Sequence, residues 1–410
     1  MTRSAVLLVA FTALGCGAPE PPESTGGTSV PSGPCGRGVA VAHQDEGYAS
    51  SNVSLLDWKG KVLSSSFISS ATSGAKLSAK LTGDVVLPTA PTTGERLVLL
   101  DRYPAAVITW VDVESAEVSA QLSVRSGFAA NPHDYLELSA TRGLVTRFNR
   151  NPDPEAQPLD RGDDVLVLDP SAPEPVGRID LSPALAGSGG GYKASPHRMI
   201  AAAGRVVVSL LAHSTDYSDA LPSRLAVIDP STESLGQVLV LDGLYECNGL
   251  ALSPDGQRLA VSCTGRFQGD SEPAPGESAI AVVTVGDALE EVARFPADPQ
   301  APFGFSVSWA SEHTLVANTF GRETAPTRPD TLVELDIDTG ARRVLLESSD
   351  RPFTLGDVRC AAACGTCFAT DAGRAVVHAF GVDAGGRLGA PSPIHVNDAI
   401  GLPPRWLGQF

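Results

Sequence analysis

A block of four short apolar segments recurs along most of this chain with a period of about 50 to 60 residues. Its last two segments read DDVLVLDPSAPEPVGRIDLS (163–182), SRLAVIDPSTESLGQVLVLDG (223–243) and DTLVELDIDTGARRVLLESS (330–349). Its first two read RMIAAAGRVVVSLLAH (198–213), NGLALSPDGQRLAVSC (248–263) and FSVSWASEHTLVANTF (305–320). Apolar and polar residues alternate in each segment, and Pro, Gly or Asp bounds it, which is typical of β-strands joined by turns. The repeat therefore predicts four-stranded antiparallel blades arranged in a ring.

The blocks also predict the number of blades. Six complete blocks occupy 83–124, 131–182, 195–243, 245–298, 303–350 and 354–396. Three further strands, between 38 and 68, lack a first strand, which AIGLPPRWLGQF (399–410) can provide. We therefore expect an all-β fold, a seven-bladed β-propeller of four-stranded antiparallel blades. Pairing of its N- and C-terminal strands would close the ring and remove the open sheet edges.

Two segments resemble a known family. LALSPDGQRLAVS (250–262) and LAVIDPST (225–232) are similar to the repeats of YVTN and lactonase-like β-propellers, including surface-layer-type repeat proteins. The resemblance extends over most of residues 38–410. It implies the propeller fold and is compatible with several activities, because one fold supports many functions.

The N-terminus has the layout of a secretory signal. One Arg is followed by an apolar run from Ala5 to Leu14, which is too short to span a membrane. The sequence ALGC, ending at Cys16, resembles a bacterial lipobox, and this resemblance implies a lipid on Cys16. An ordinary signal with an incidental cysteine is the alternative. We expect a signal peptide (1–15), a Pro/Gly/Ser-rich tether (16–34) and the propeller (35–410). The residue after the cysteine is Gly17 and not the Asp that is expected of lipoproteins kept in the inner membrane. The resemblance therefore implies an outer-membrane lipoprotein that faces the periplasm or the surface.

Six further cysteines form an even set, as expected of an exported protein. A three-residue hairpin loop, Pro254-Asp255-Gly256, would place Cys247 opposite Cys263 and predicts a disulfide there. Cys35, Cys360, Cys364 and Cys367 can pair in three ways. We favour Cys35–Cys364, which would lock the ring, together with Cys360–Cys367. The alternative, a zinc site, would need a second CxxC pair, so we expect neither a metal nor a cofactor.

The net charge of the chain argues against one class of partner, nucleic acid. The formal charge is −17 at pH 7 and there is no Lys/Arg cluster, which argues against nucleic acid. We expect a monomeric domain that contacts a membrane only through its lipid anchor.

The candidate binding residues gather at one end of the blades. NPHDY (131–135) and SPHRM (195–199) place a Pro-His pair at the start of two successive innermost strands. Polar insertions at 150–162, 213–222, 264–277 and 321–330 all connect a second strand to a third, on the same face as those strand starts. Binding residues concentrate in such loops on rigid scaffolds. The alternative is that Pro belongs to the repeat and that His varies freely after it. The candidates are His133, Asp134, His197, His213, Asp216, Tyr217 and Phe267.

Three functions remain open, of which a purely structural envelope protein is the third. The first is a non-enzymatic binding or scaffold module for an envelope protein or glycan. The second is a lactonase-like or metal-dependent hydrolase, in which His133 and His197 act with an acid such as Asp134 or Asp216.

Overall fold

The computed structural model describes residues 27–28, 32–72, 77–92, 96–125, 127–268, 272–274, 276–323, 326–349 and 352–410. The predicted signal peptide, Cys16 and most of the predicted tether lie outside these residues. Among the residues described, no helix is long and apolar enough to cross a membrane.

The chain forms seven blades of four antiparallel strands. Blade 1 contains β1 (Val39–Gln44), β2 (Ser51–Leu56), β3 (Val62–Ser69) and β30 (Pro404–Gln409), in the order β3-β2-β1-β30. Blade 2 contains β4 (Val85–Val86), β5 (Arg96–Asp101), β6 (Val107–Asp112) and β7 (Val118–Ser123). Blade 3 contains β8 (Pro132–Ser139), β9 (Arg142–Arg150), β10 (Gly162–Asp169) and β11 (Glu174–Asp180). Blade 4 contains β12 (Pro196–Ala202), β13 (Arg205–Leu210), β14 (Arg224–Asp229) and β15 (Ser234–Val240).

The other three blades follow the same meander. Blade 5 contains β16 (Gly249–Leu252), β17 (Arg258–Cys263), β20 (Ala279–Val285) and β21 (Leu289–Pro296). A hairpin of β18 (Phe267–Gln268) and β19 (Glu272–Pro273) is inserted in it. Blade 6 contains β22 (Phe303–Trp309), β23 (Thr314–Thr319), β24 (Thr331–Asp336) and β25 (Arg342–Glu347). Blade 7 contains β26 (Leu355–Ala361), β27 (Thr366–Asp371), β28 (Val376–Gly381) and β29 (Ser392–Ile394). Three short 3₁₀ helices cover Pro158–Asp160, Ser182–Leu185 and Ala362–Cys364.

The predicted ring closure is confirmed. β30 pairs antiparallel with β1 and is the innermost strand of blade 1, so the two ends of the propeller meet in one sheet. The meander places the fourth strand of each blade outermost, and burial along that strand follows the sequence alternation in several blades. The side chains of β21, for example, alternate between exposed and more buried along the strand. By contrast, the third strand β10 is almost entirely buried between neighbouring blades.

Three disulfides join the pairs favoured from the sequence, Cys35–Cys364, Cys247–Cys263 and Cys360–Cys367. Disulfides of this kind are typical of proteins outside the reducing cytoplasm.

The predicted register of one hairpin is wrong. The Ser253 amide donates to the carbonyl of Arg258, so the loop has four residues rather than three. The ladder places Gly249 opposite Ser262, one residue away from the expected register. Beyond Asn248 the expected register returns, because the Thr264 amide donates to the Glu246 carbonyl. The cysteines therefore still oppose each other, through an irregularity that the sequence pattern did not reveal.

The two faces of the ring differ in their connections. We call the side that carries the second-to-third and fourth-to-first connections the loop-rich face, and the opposite side the tight-turn face. Connections on the tight-turn face mostly have two to five residues. All four predicted polar insertions lie on the loop-rich face, between β9 and β10, β13 and β14, β17 and β20, and β23 and β24.

Candidate functional site

The central channel opens on the loop-rich face among the first residues of the innermost strands. His133 is the second residue of β8 and His197 the second of β12, and their ring centroids are 4.6 Å apart. The Thr146 hydroxyl accepts the Asp134 amide and donates to the His197 carbonyl. Thr370 links the Asp357 amide and the Arg405 carbonyl in the same way, so Arg405 takes the place of His197 in blade 1.

An aromatic cluster surrounds the two histidines. Phe148 stacks on His133 at 4.5 Å and lies 5.6 Å from His213 and 6.3 Å from Tyr217, between ring centroids. The Lys193 ammonium lies 3.2 Å from the centroid of Tyr217. We call these five side chains together with His197 the aromatic cluster. The structure thus brings together four of the predicted residues, His133, His197, His213 and Tyr217.

The charge state of this cluster is set by burial. Burial, reinforced by the neighbouring His197, lowers the pKa of His133 well below its usual value. Burial and the positive charge of Arg198 do the same to the pKa of His197. The pKa of Lys193 falls to about 8, also because of burial. The imidazoles of His133 and His197 are therefore neutral at neutral pH, whereas the Lys193 ammonium remains charged.

The two predicted acids serve the backbone instead of the histidines. The buried Asp134 carboxylate accepts the amides of Thr89, Tyr135 and Met199, and so ties three neighbouring blades together. Asp216 accepts the amide and hydroxyl of Ser218 and the hydroxyl of Ser214, and these bonds lower its pKa to about 2.

This arrangement does not fit a metal site. Within the part of the chain that is described, no group of three or more His, Cys, Asp or Glu side chains could hold a metal ion. The acid that the hydrolase hypothesis needs as a third ligand is not provided by Asp134 or Asp216, because both are engaged in turns and blade contacts.

Three cavities are arranged around the channel mouth. The Phe353 cavity, of about 350 Å³, shares Phe305 with the Tyr217 cavity, of about 510 Å³. The Tyr103 cavity, of about 340 Å³, shares Tyr48 with the Phe353 cavity and reaches His133. The Tyr217 cavity also contains Glu246, hydrogen-bonded to His213, and an Arg266–Asp219 ion pair at 3.0 Å. Of the remaining candidates, Phe267 lies in the β18–β19 hairpin, and its side chain is outside the described part.

The exposed aromatic side chains in the described ranges all lie on this face. They are Tyr48, Tyr103, Tyr217, Phe305 and Phe353, with 39–59% of each side chain exposed. The other large exposed hydrophobic side chains are valines on the outermost strands, Val176, Val240, Val292 and Val344. Exposed aromatics concentrated on one face are typical of interaction surfaces.

Three of these five aromatics have a left-handed backbone. Tyr48, Tyr217 and Phe353 have φ values of 55°, 61° and 58°. A bulky residue in this region costs about 1–3 kcal/mol, and such positions cluster at functional sites. An aspartate holds each segment by accepting nearby backbone amides: Asp45 at Tyr48, Asp216 at Tyr217 and Asp330 at Phe353.

A buried arginine crosses the channel below the mouth. The Arg198 guanidinium from blade 4 lies 5.8 Å from the ring centroid of Trp406 in blade 1. Its Nη1 donates to the Leu87 carbonyl, which follows β4 in blade 2. Arg102 also lies over Trp406, at 5.6 Å.

Sequence reasoning missed Phe148, Lys193, Phe305, Phe353 and Arg198. Aligning the starts of the inner strands could have found Phe305 and Arg405, which follow the strand starts much as His133 and His197 do. Phe148 and Lys193 carry no such signal, because they meet the histidines only when neighbouring blades pack.

Comparisons with known proteins support the fold alone. No family model and no curated protein matches the chain. A protein from Lactobacillus plantarum is similar in structure, with a TM-score of 0.58 and 12% identity over 90% of this chain and 98% of that one. A candidate 6-phosphogluconolactonase from Bacteroides fragilis has a TM-score of 0.53 and 10% identity over 90% and 96%. One from Bacteroides uniformis has a TM-score of 0.52 and 12% identity over 90% and 98%. Topology and these likenesses together define the class, a closed seven-bladed β-propeller.

Proposed function

We propose that this chain is a lipid-anchored envelope β-propeller that binds a protein or glycan partner through its loop-rich face, without catalysing a reaction. The observation that carries the proposal is the placement of the five exposed aromatics around one channel mouth. Large aromatic side chains are the usual anchors of interfaces, because they bury much area with few rotamers to fix. Three of them occupy costly backbone positions, which favours a role beyond packing.

The remaining parts of the proposal concern the lipid anchor and the protein family. The lipobox-like sequence before Cys16 and the disulfides favour export followed by lipidation. The SPDG hairpin and the likeness to candidate lactonases favour kinship with the YVTN and lactonase-like propellers. Detergent partitioning of the wild type against Cys16→Ala tests the anchor. Equal partitioning of both into the aqueous phase would contradict it.

The binding function is tested by affinity capture from crosslinked native envelopes. We expect wild-type bait to retain a partner that Tyr217→Ala and Phe267→Ala retain less well. Val292→Ala is the matched control, because Val292 is 51% exposed on the outermost strand β21, away from the channel mouth. Equal loss in all three variants, or capture that none of them changes, would contradict a binding role for the loop-rich face.

A lactonase-like or metal-dependent hydrolase is the second candidate, favoured by the two neutral imidazoles 4.6 Å apart at the mouth. A neutral imidazole can act as a general base. His133→Gln and His197→Gln, assayed for lactone hydrolysis and for metal content by elemental analysis, separate the candidates. A hydrolase loses turnover in both variants, and a metal enzyme loses its metal as well. A binder shows no wild-type turnover to lose.

A further inference from the structure

The Phe353 cavity combines aromatic walls with negative charge. Its aromatic lining residues are Tyr48, Phe305, Phe320, Phe353 and Trp406. Four acidic residues also line it, Asp45, Glu46, Glu323 and Asp357, against one basic residue, Arg405. The Asp357 carboxylate is already paired with Arg359, at 3.2 Å, so it contributes little of the negative charge left for a ligand. Such a lining is complementary to a cation, because aromatic faces and carboxylates both attract positive charge.

Some aromatic rings near the mouth, including the cavity's own Trp406, already have a cation from the chain itself. Lys193 covers Tyr217 at 3.2 Å, and Arg102 and Arg198 lie over Trp406. Among the described residues, Tyr48, Phe305 and Phe353 have no such contact. Arg405 also leaves these faces open, because its Nη1 donates to the Phe353 carbonyl, 3.2 Å away.

The walls of the cavity are fixed before any ligand arrives. Phe320 lies between two partners, with its ring centroid 4.7 Å from that of Phe305 and 5.1 Å from that of Phe353. The buried carboxylate of Asp330 accepts the amides of Gly321, Phe353, Thr354 and Leu355 at 2.6–3.0 Å. It therefore clamps the segments that carry Phe320 and Phe353. A rigid wall favours affinity, because little conformational freedom is lost on binding.

We propose that the Phe353 cavity receives a cationic side chain, arginine or lysine, of the protein partner. This inference rests on the proposed binding function and narrows the partner to a protein with an exposed basic residue. The cavity volume of about 350 Å³ suits one long side chain with its flanking backbone, and the net acidic lining selects its charge. The surrounding loop-rich face would then contact the rest of the partner.

The test uses small probes on the purified full chain. N-acetyl-arginine methylamide and N-acetyl-lysine methylamide carry the proposed cations, and N-acetyl-citrulline methylamide is the neutral isostere of the first. We expect NMR titration to show saturable binding of at least one cationic probe, about fivefold or more tighter than that of citrulline. Equal binding of arginine and citrulline without lysine binding, or no binding of any probe, would overturn the proposal.

Two variants locate the probe site. Phe353→Ala removes an aromatic wall, and Glu323→Gln removes a charge from an exposed side chain while conserving its shape. Each should weaken the cationic probe about fivefold. Tyr217→Ala, in the neighbouring cavity, is the matched control and should leave probe affinity unchanged. Probe binding that only Tyr217→Ala weakens would overturn the assignment to the Phe353 cavity.

Two further measurements, tetramethylammonium binding and envelope capture by the variants, distinguish failure of this inference from failure of the proposed function. If tetramethylammonium binds far more tightly than the amino-acid probes, the occupant is a small organic cation and a partner's side chain is excluded. If envelope capture depends on Tyr217 but not on Phe353 or Glu323, the binding function stands and the cationic anchor fails. If no variant changes capture while the probes still bind, the proposed function fails instead.

Discussion

The tight-turn face and the loop-rich face both contain glycines with positive φ, but among the described residues the aromatic side chains with positive φ all lie on the loop-rich face. On the tight-turn face, Gly204, Gly256 and Gly340 occupy such positions in short turns, at little steric cost. On the loop-rich face, Tyr48, Tyr217 and Phe353 do so despite their bulk. The same backbone conformation thus closes a turn cheaply on one side and presents an aromatic ring at a cost on the other.

Covalent reinforcement divides between the faces as well. Cys35–Cys364 and Cys360–Cys367 lie on the tight-turn face, where the first joins blade 1 to blade 7. Cys247–Cys263 lies at the loop-rich end of blade 5. We therefore expect changes on the tight-turn face to act on stability alone, and changes on the loop-rich face to act on binding as well as on stability.

The largest effect is expected from the disulfide that closes the ring. Cys35→Ser with Cys364→Ser opens a link between residues 329 apart in sequence, and its loss should cost up to about 5–6 kcal/mol of unfolding free energy. Cys360→Ser with Cys367→Ser, separated by 7 residues, is the matched control and should cost about 2–3 kcal/mol. Denaturant unfolding measures both. A smaller loss for the long link than for the short one would break the comparison.

The second-largest effect is a loss of stability on the loop-rich face in acid. Burial lowers the pKa of His43, near the loop-rich end of β1, from 6.5 to about 4. Between these values the unfolded state binds more protons than the folded state. The stability that the protein gains from keeping His43 neutral is therefore fully present above pH 6.5 and falls as the pH drops. Below pH 4 it is lost, which lowers the free energy of unfolding by about 3 kcal/mol.

Hydrogen exchange followed by mass spectrometry from pH 7.5 to 4 measures this loss, after correction for intrinsic rates. We expect early loss of protection in β1 and β30, and a shallower pH dependence in His43→Gln. His313, 64% exposed on the tight-turn face, provides the control, and His313→Gln should leave the profile unchanged. An identical profile in His43→Gln would contradict the argument.

Asp330 tests whether stability and binding can be separated on the loop-rich face. Asp330→Ala leaves four backbone amides without their acceptor, and should cost about 2–3 kcal/mol of unfolding free energy. Because the segment of Phe353 is then released, affinity for the cationic probe should fall in the same variant. Probe affinity that survives a measured loss of stability would show that the clamp does not position the ring.

The smallest effect is a gain in stability. Tyr48→Gly should be about 1 kcal/mol more stable than Tyr48→Ala, because both lack the ring and only alanine keeps a Cβ at φ 55°. Thermal unfolding of the pair measures the difference. Alanine equal to glycine would mean that the left-handed backbone at this position costs nothing.

Periodicity made most of the fold predictable. Alternating apolar and polar residues bounded by turn residues predict the strands. The pairing of β1 with β30 was predictable because it leaves no open strand edge in the ring. The loop length around Gly256 was less readable, because three- and four-residue loops accept the same Pro-Asp-Gly sequence.

The site was only partly predictable. Inner-strand starts indicated His133 and His197, but Phe148 and Lys193 join them only through packing between blades. A positive φ at Tyr217 or Phe353 cannot be inferred from residue type, since aromatics rarely adopt it.

The order of strands along the chain also sets when the Phe353 cavity can exist. Arg405 and Trp406 belong to β30, which follows every other strand in sequence, whereas Asp45 and Tyr48 flank β1 near the start of the propeller. During synthesis, the early strands of blade 1 therefore keep an unpaired inner edge until β30 has been made. The cavity is consequently a late product of folding, so a chain that stalls before β30 has neither a closed ring nor a functional mouth.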